Sequence, residues 1–206
     1  MADFIHKKNR FTSFQIIIGG FIAVILIGAL LLMLPVSSKA GIITPFNEAL
    51  FTSTSAVCVT GLVVQDTATY WSWFGQGIIL VLIQIGGLGV ITIAVSFALL
   101  SGRKISLMQR SVMQEAISAP KVGGIVRLTG FVLKGTFLVE FTASFIMMPV
   151  FVKDFGAKGI WMAIFHSISA FCNAGFDLMG TENAKYASLT SYISHPLINI
   201  TIMLLI

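Results

Sequence analysis

One pattern, Ala-x-Phe-x-Ser-x-Ser-Ala-x-Cys-x-x-Gly, occupies residues 49–61 and returns without a gap at residues 163–175. Cys58 and Cys172, Gly61 and Gly175, and the preceding Pro35 and Pro149 are all pairs 114 residues apart. Each copy is a short, mostly apolar stretch ending in a lone glycine, set between two much longer apolar runs. A chain patterned this way must build one unit twice, with a short segment held between long ones each time.

The long runs identify the solvent. Residues 11–34, 74–100 and 128–152 are mostly apolar, with Lys134 and Glu140 their only charged residues, and a fourth run starts at Pro196. The first three exceed the ~20 residues that cross ~30 Å of hydrocarbon. Only 10% of the chain is charged and 56% is hydrophobic, whereas a water-soluble domain carries roughly 25% charged residues. The expectation is an all-α polytopic membrane protein. The first run is too long for the roughly 7–15-residue core of a secretory signal, so it reads as a retained first helix.

The net charge of +5 is unevenly spread. Lys7, Lys8 and Arg10 precede the first run, and Arg103, Lys104, Arg110, Lys121 and Arg127 follow the second, whereas Lys39 alone lies between them. By the positive-inside rule the N-terminus and residues 101–127 are cytoplasmic, and residues 35–73 and 153–195 are external. Lys153, Lys158 and Lys185 make the second external stretch less clear-cut. Basic residues beside membrane crossings argue against nucleic-acid binding. The two cysteines sit at matched apolar positions and read as small buried hydrophobes, not as a disulfide or a metal site.

The short segments carry the functional signal. A helix over Phe46–Val57 or over residues 159–171 covers only ~18 Å, about half a bilayer, and reads as re-entrant. Thr44-Pro45 and Glu48 suit the start of the first. Trp71 and Trp73 are expected at the outer water–lipid boundary. Gly86, Gly87 and Gly89 are expected to let another backbone come close. No strand precedes them, as a dinucleotide-binding turn would need. The chain thus divides into a first helix–pore loop–helix unit (1–100), a cytoplasmic connector (101–126) with a short surface helix at 106–118, and a second unit (127–206). Both units start on one side of the membrane, as parallel repeats. The last helix has ~16 Å available to it, so the chain is expected to be a piece of a longer protein.

Irregular backbone at membrane depth is tolerated only where protein buries it or it lines a water-filled cavity. A carbonyl-lined ion filter is one such case. The C-terminal end of a re-entrant helix favours a cation, and glycine lets successive carbonyls turn to one axis. Val59, Thr60, Gly61, Leu62 and Asn173, Ala174, Gly175, Phe176 are therefore the candidate ion-binding residues, through backbone carbonyls, and none has an ionisable side chain. Glu140 is expected to pair with another polar group, Lys134 to snorkel, and His166 to be a hydrogen-bonded packing residue. Asp66 and Asp177 either enrich cations at the outer mouth or cap turns. No nucleophile–base pair or phosphate-cradling loop suggests an enzyme.

Residues 52–67, 84–89 and 169–176 resemble the first pore loop, the following helix and the second pore loop of the Trk/Ktr/HKT superfamily of potassium transporters, most of all the membrane subunit of bacterial Ktr systems. The resemblance implies four helix–pore–helix units in one polypeptide with pseudo-fourfold symmetry, and Gly61 and Gly175 as filter glycines. It implies potassium as the transported ion, no covalent cofactor, and sodium as a candidate activating ion. It also implies a homodimer in the cell membrane carrying a cytoplasmic ring of nucleotide-binding regulatory subunits. Glycine at position 61, where some sodium-favouring plant relatives have serine, suits potassium. The alternatives are a sodium-selective or poorly selective pathway, or a non-transporting scaffold that docks cytoplasmic proteins.

Overall fold

A computed structural model describes residues 12–90, 92–93, 112, 114–115 and 124–206. The basic N-terminus, the inner end of the second apolar run and nearly all of the connector, with its expected surface helix, lie outside these residues. Among the described residues every regular element is helical. Two helices, Phe14–Met33 and Val126–Phe155, are long and apolar enough to cross a membrane, while Trp73–Leu88 and Pro196–Leu205 are apolar but shorter.

The chain order is α1 (Ser13–Met33), a 3-10 turn (Pro35–Ser37), α2 (Phe46–Val57), α3 (Trp73–Leu88), α4 (Ile125–Phe155), α5 (Lys158–Phe171), a 3-10 turn (Ser188–Tyr192) and α6 (Pro196–Leu205). Thr12 starts α1 with a capping box: Gln15 N–H donates to Thr12 Oγ1 (3.3 Å) and Thr12 N–H donates to Gln15 Oε1 (3.1 Å). Ser72 caps α3 by accepting from Gly75 N–H. The short helices α2 and α5 pack against α1 and α4, the helices that precede them. In each case a serine anchors the pair. Ser53 Oγ donates to the Ile25 carbonyl (2.7 Å), and Ser167 Oγ donates to the Glu140 carbonyl (2.6 Å).

Helix α3 joins the two repeats. It packs on α2 of its own repeat and on α5 of the next. Its glycines make both contacts close. A Cβ on Gly86 would collide with the Val57 carbonyl, and one on Gly87 would sit 2.5 Å from Cys172 Sγ. The side chains of Gln76 and Gln84 strengthen the seam. Trp161 Nε1 donates to Gln76 Oε1 (2.9 Å), whose Nε2 in turn donates to the Thr67 and Trp71 carbonyls. Gln84 Nε2 donates to Glu140 Oε1 (2.8 Å), which gives the carboxylate of α4 its polar partner.

Three sequence expectations change, and the matched prolines part ways. The run at 74–100 is not one unbroken helix: α3 ends at Leu88 because Gly89 adopts φ 83°, a conformation that leaves the right-handed helix. Pro149 does not end α4 as Pro35 follows the end of α1. The helix continues through it to Phe155, since a proline removes one backbone bond and need not stop a helix that neighbours support. Trp71 is not at a lipid boundary but fully buried, leaving Trp73, 53% exposed, at the surface. Cys58 is exposed, whereas its repeat partner Cys172 is buried.

Candidate functional site

The loops after α2 and α5 are built by the same local rules. Cys58 and Cys172 close their helices with φ/ψ of −85°/0° and −78°/−2°. The next residues, Val59 and Asn173, both take φ 56°, and Gly61 and Gly175 both take φ 72°. Two backbone bonds repeat as well. Thr60 N–H donates to the Ser55 carbonyl (3.0 Å), and Ala174 N–H to the Ser169 carbonyl (2.7 Å). Positive φ is natural for glycine. For a β-branched valine it is an outlier that the surroundings must enforce.

The fold brings the two loops together at their glycines. A Cβ on Gly61 would lie 2.9 Å from the Ala174 carbonyl oxygen and 3.3 Å from Gly175 Cα, and one on Gly175 would lie 3.3 Å from Gly61 Cα. The closest approach is therefore backbone to backbone. Of the eight candidate residues, Thr60, Leu62, Asn173 and Gly175 are exposed, Val59 and Gly61 are half-buried, and Ala174 and Phe176 are buried. The repeat-matched hydroxyls of Ser55 and Ser169 behind the loops do different work in the two copies. Thr60 Oγ1 donates to Ser55 Oγ (2.9 Å), while Ser169 Oγ donates to the Phe176 carbonyl (2.6 Å). The Phe176 carbonyl thus already has a partner within the protein.

Both loops are braced from outside. Asp66 is 4% exposed, and both of its oxygens are used. Oδ1 accepts from Thr69 N–H and Oγ1 (both 2.8 Å), and Oδ2 accepts from Tyr186 N–H (2.7 Å) in the second repeat. Asp177 Oδ1 accepts from Met179 N–H (2.8 Å). Burial pushes the Asp177 carboxyl above the ordinary carboxylate range, and Asp66 nearby adds to the shift. Of the two roles open to these aspartates, the geometry gives the turn-capping one. Gln65 Nε2 donates to Glu48 Oε2 (2.8 Å), tying the exit of the first loop to the start of α2.

His166 is held on both sides. Leu178 N–H donates to Nε2 (3.2 Å), which places the ring proton on Nδ1, facing the Met162 carbonyl at 2.7 Å. The ring stacks on Phe151 with centroids 5.2 Å apart. It is a packing residue that anchors the second loop's exit. Sequence reasoning missed Gln76, Gln84 and Tyr186 as organisers of the site. A glutamine in an apolar run, such as Gln76 or Gln84, was the available signal.

Comparison with known proteins identifies the family. Residues 6–206 match the TrkH family model, described as a cation transport protein. The chain is 44% identical over 174 residues to the potassium/sodium uptake protein NtpJ of Enterococcus hirae, covering 84% of this chain and 39% of that one. It is 41% identical over 204 residues to the Ktr system potassium uptake protein B of Bacillus subtilis, covering 98% and 44%. The Vibrio alginolyticus protein of the same name is 35% identical over 189 residues, covering 91% and 40%. The chain therefore spans roughly two-fifths of the length of these relatives. Its match to the family model runs almost end to end, and the family is one of transporters, not enzymes: the chain belongs to the TrkH family of cation transport proteins.

Proposed function

We propose that this chain supplies two of the pore loops of a potassium uptake transporter in the cell membrane. Residues 1–100 and 127–206 act as helix–pore loop–helix units, and residues 101–126 as their cytoplasmic connector. The observation that carries the reading is the meeting of two loops with matching backbone angles at Gly61 and Gly175. Carbonyls presented by such loops replace the water shell of a partly dehydrated cation. The C-terminal ends of α2 and α5 add negative potential where the ion sits. The ion-facing set is carried by Val59, Thr60 and Gly61 with Asn173, Ala174 and Gly175. Leu62 and Phe176 mark the ends of the filter. The N-terminus is cytoplasmic, the transporter is a homodimer, and a cytoplasmic nucleotide-binding ring regulates it.

Rubidium uptake by cells expressing the full-length protein tests this reading. Gly61→Asp places a carboxylate where a Cβ meets the Ala174 carbonyl, and uptake is expected to be abolished at unchanged expression. Unchanged uptake would overturn the pore assignment. The name of the Enterococcus hirae relative includes sodium, so sodium competition belongs in the same assay. Potassium selectivity requires that excess sodium leave rubidium uptake largely intact.

A further inference from the structure

Trp73, the first residue of α3, lines two spaces of opposite chemistry. One is a polar cavity of about 340 Å³ whose lining includes Lys39, Lys158, Glu182, Gln76 and Trp161. The other is an apolar groove of about 710 Å³ between α1 and α3, which passes Leu31, Gly77, Val81 and Ile85.

The fold explains the charge of the cavity. Lys39 follows the turn after α1 and Lys158 opens α5, so each repeat brings one lysine to the same space. Lys39 Nζ donates to the Ala68 carbonyl, which fixes the ammonium at the cavity wall. Burial holds this ammonium below the ordinary lysine range, and repulsion from Lys158 adds to the shift, while Asp66 and Glu182 oppose it. An anion shared by two ammoniums relieves both their burial and their repulsion. Glu182 is the carboxylate of the lining, so two lysines and one glutamate leave it a single positive charge. The rings of Trp73 and Trp161 lie 5.8 Å apart, and Gln76 holds the Trp161 indole N–H.

The groove is apolar along its whole lining. From Phe74 to Ile85 it follows α3 for ~16 Å, about half of a ~30 Å hydrocarbon core. Its depth is that of one leaflet. A Cβ on Gly77 would meet nothing within 4 Å, so the groove is open there.

We propose that the two spaces form one phospholipid site, with an anionic headgroup of the phosphatidylglycerol class in the cavity and an acyl chain in the groove. The phosphate diester lies between Lys39 and Lys158, and the glycerol hydroxyls donate to Glu182. Charge selects the class: one phosphate diester balances the lining, whereas a zwitterionic headgroup leaves it positive. Basic pockets between crossing helices hold lipid phosphates in this way, and tryptophans suit the headgroup level. In the orientation proposed above the site is in the external leaflet. None of the eight loop residues lines either space, so the site stands or falls separately from the ion path.

Native mass spectrometry of the full-length protein in detergent, titrated with defined lipids, tests the proposal. Phosphatidylglycerol is expected to bind at least ~10-fold more tightly than phosphatidylcholine, because hydrogen bonds to charged groups are worth that much. Lys39→Gln with Lys158→Gln should abolish the preference, and Lys39→Arg with Lys158→Arg should keep it, which separates lost charge from lost fold. Gly77→Phe fills the groove and should weaken phosphatidylglycerol without changing competition by inorganic phosphate. Equal binding of the two lipids, or a preference that survives loss of both lysines, overturns the proposal. Displacement of the lipid by millimolar inorganic phosphate, with Gly77→Phe silent, also overturns it and leaves a pocket for a free anion.

Discussion

The loops after α2 and α5 have the same backbone and different neighbours. Their dihedrals agree at Cys58/Cys172, Val59/Asn173 and Gly61/Gly175, and each stands on a serine bonded to the preceding long helix. Around that shared frame the flanking side chains differ: Phe165, Cys172 and Phe176 are buried, whereas Phe51, Cys58 and Leu62 are exposed. Local geometry is thus written into each repeat, while burial is supplied by whichever element lies alongside.

The largest effect expected from breaking this comparison is at the glycines. Gly61→Ala and Gly175→Ala each force a side chain into positive φ, at ~1–2 kcal/mol. At Gly61 the new Cβ also meets the Ala174 carbonyl at 2.9 Å, whereas at Gly175 it meets only Gly61 Cα at 3.3 Å. Rubidium uptake should fall in both, and further in Gly61→Ala. Equal loss would show that the loops do not differ in crowding.

Next in size are the glycines of α3. Gly87→Ala crowds Cys172 Sγ, a side chain that can be removed. Gly86→Ala crowds the Val57 carbonyl, which cannot. Each is expected to cost ~1–3 kcal/mol as overpacking, read as a lower melting temperature in detergent. Adding Cys172→Gly should rescue Gly87→Ala and leave Gly86→Ala unrepaired.

Ser53→Ala and Ser167→Ala probe the shared frame. Each removes one hydrogen bond to the preceding helix, worth ~0.5–1.5 kcal/mol, and the two losses should match. A large difference would mean that the frame, too, depends on neighbours.

The smallest effect is electrostatic. Burial raises the Asp177 carboxyl above its ordinary range, so its native form holds a proton more tightly than the unfolded chain does. Its contribution is present in full below the unfolded pKa and is lost as pH rises through the folded one. Asp177→Asn keeps an acceptor for Met179 N–H and removes the buried charge. It should stabilise slightly at neutral pH, with the gain shrinking as pH falls through the carboxylate range.

Much of the helix layout could be read from the chain because it follows from local pattern. The gapless repeat located both loops, Thr44-Pro45 located the start of α2, and the small residues of 86–89 pointed to close backbone contact. The positive φ of Val59 was hidden, because a β-branched side chain disfavours it, whereas Asn173 is of a type that tolerates the left-handed region. The helix closure and the Ser55 and Ser169 carbonyls impose it. Pro35 and Pro149 occupy matched positions with opposite outcomes, since the choice depends on what supports the helix beyond. Cys58 and Cys172 were read alike because sequence records a residue's type and not its cover.

The bond between Asp66 and Tyr186 has one more consequence. Its partners are 120 residues apart, and Tyr186 Oη also reaches back to the Val64 carbonyl (2.9 Å). During synthesis, at ~5–20 residues per second, the exit of the first loop waits several seconds or more for its brace. The first repeat is made with that loop unbraced, and bracing it is a task for the later segment that carries Tyr186. Completion of the paired loops is therefore ordered in time: the later segment finishes the earlier one.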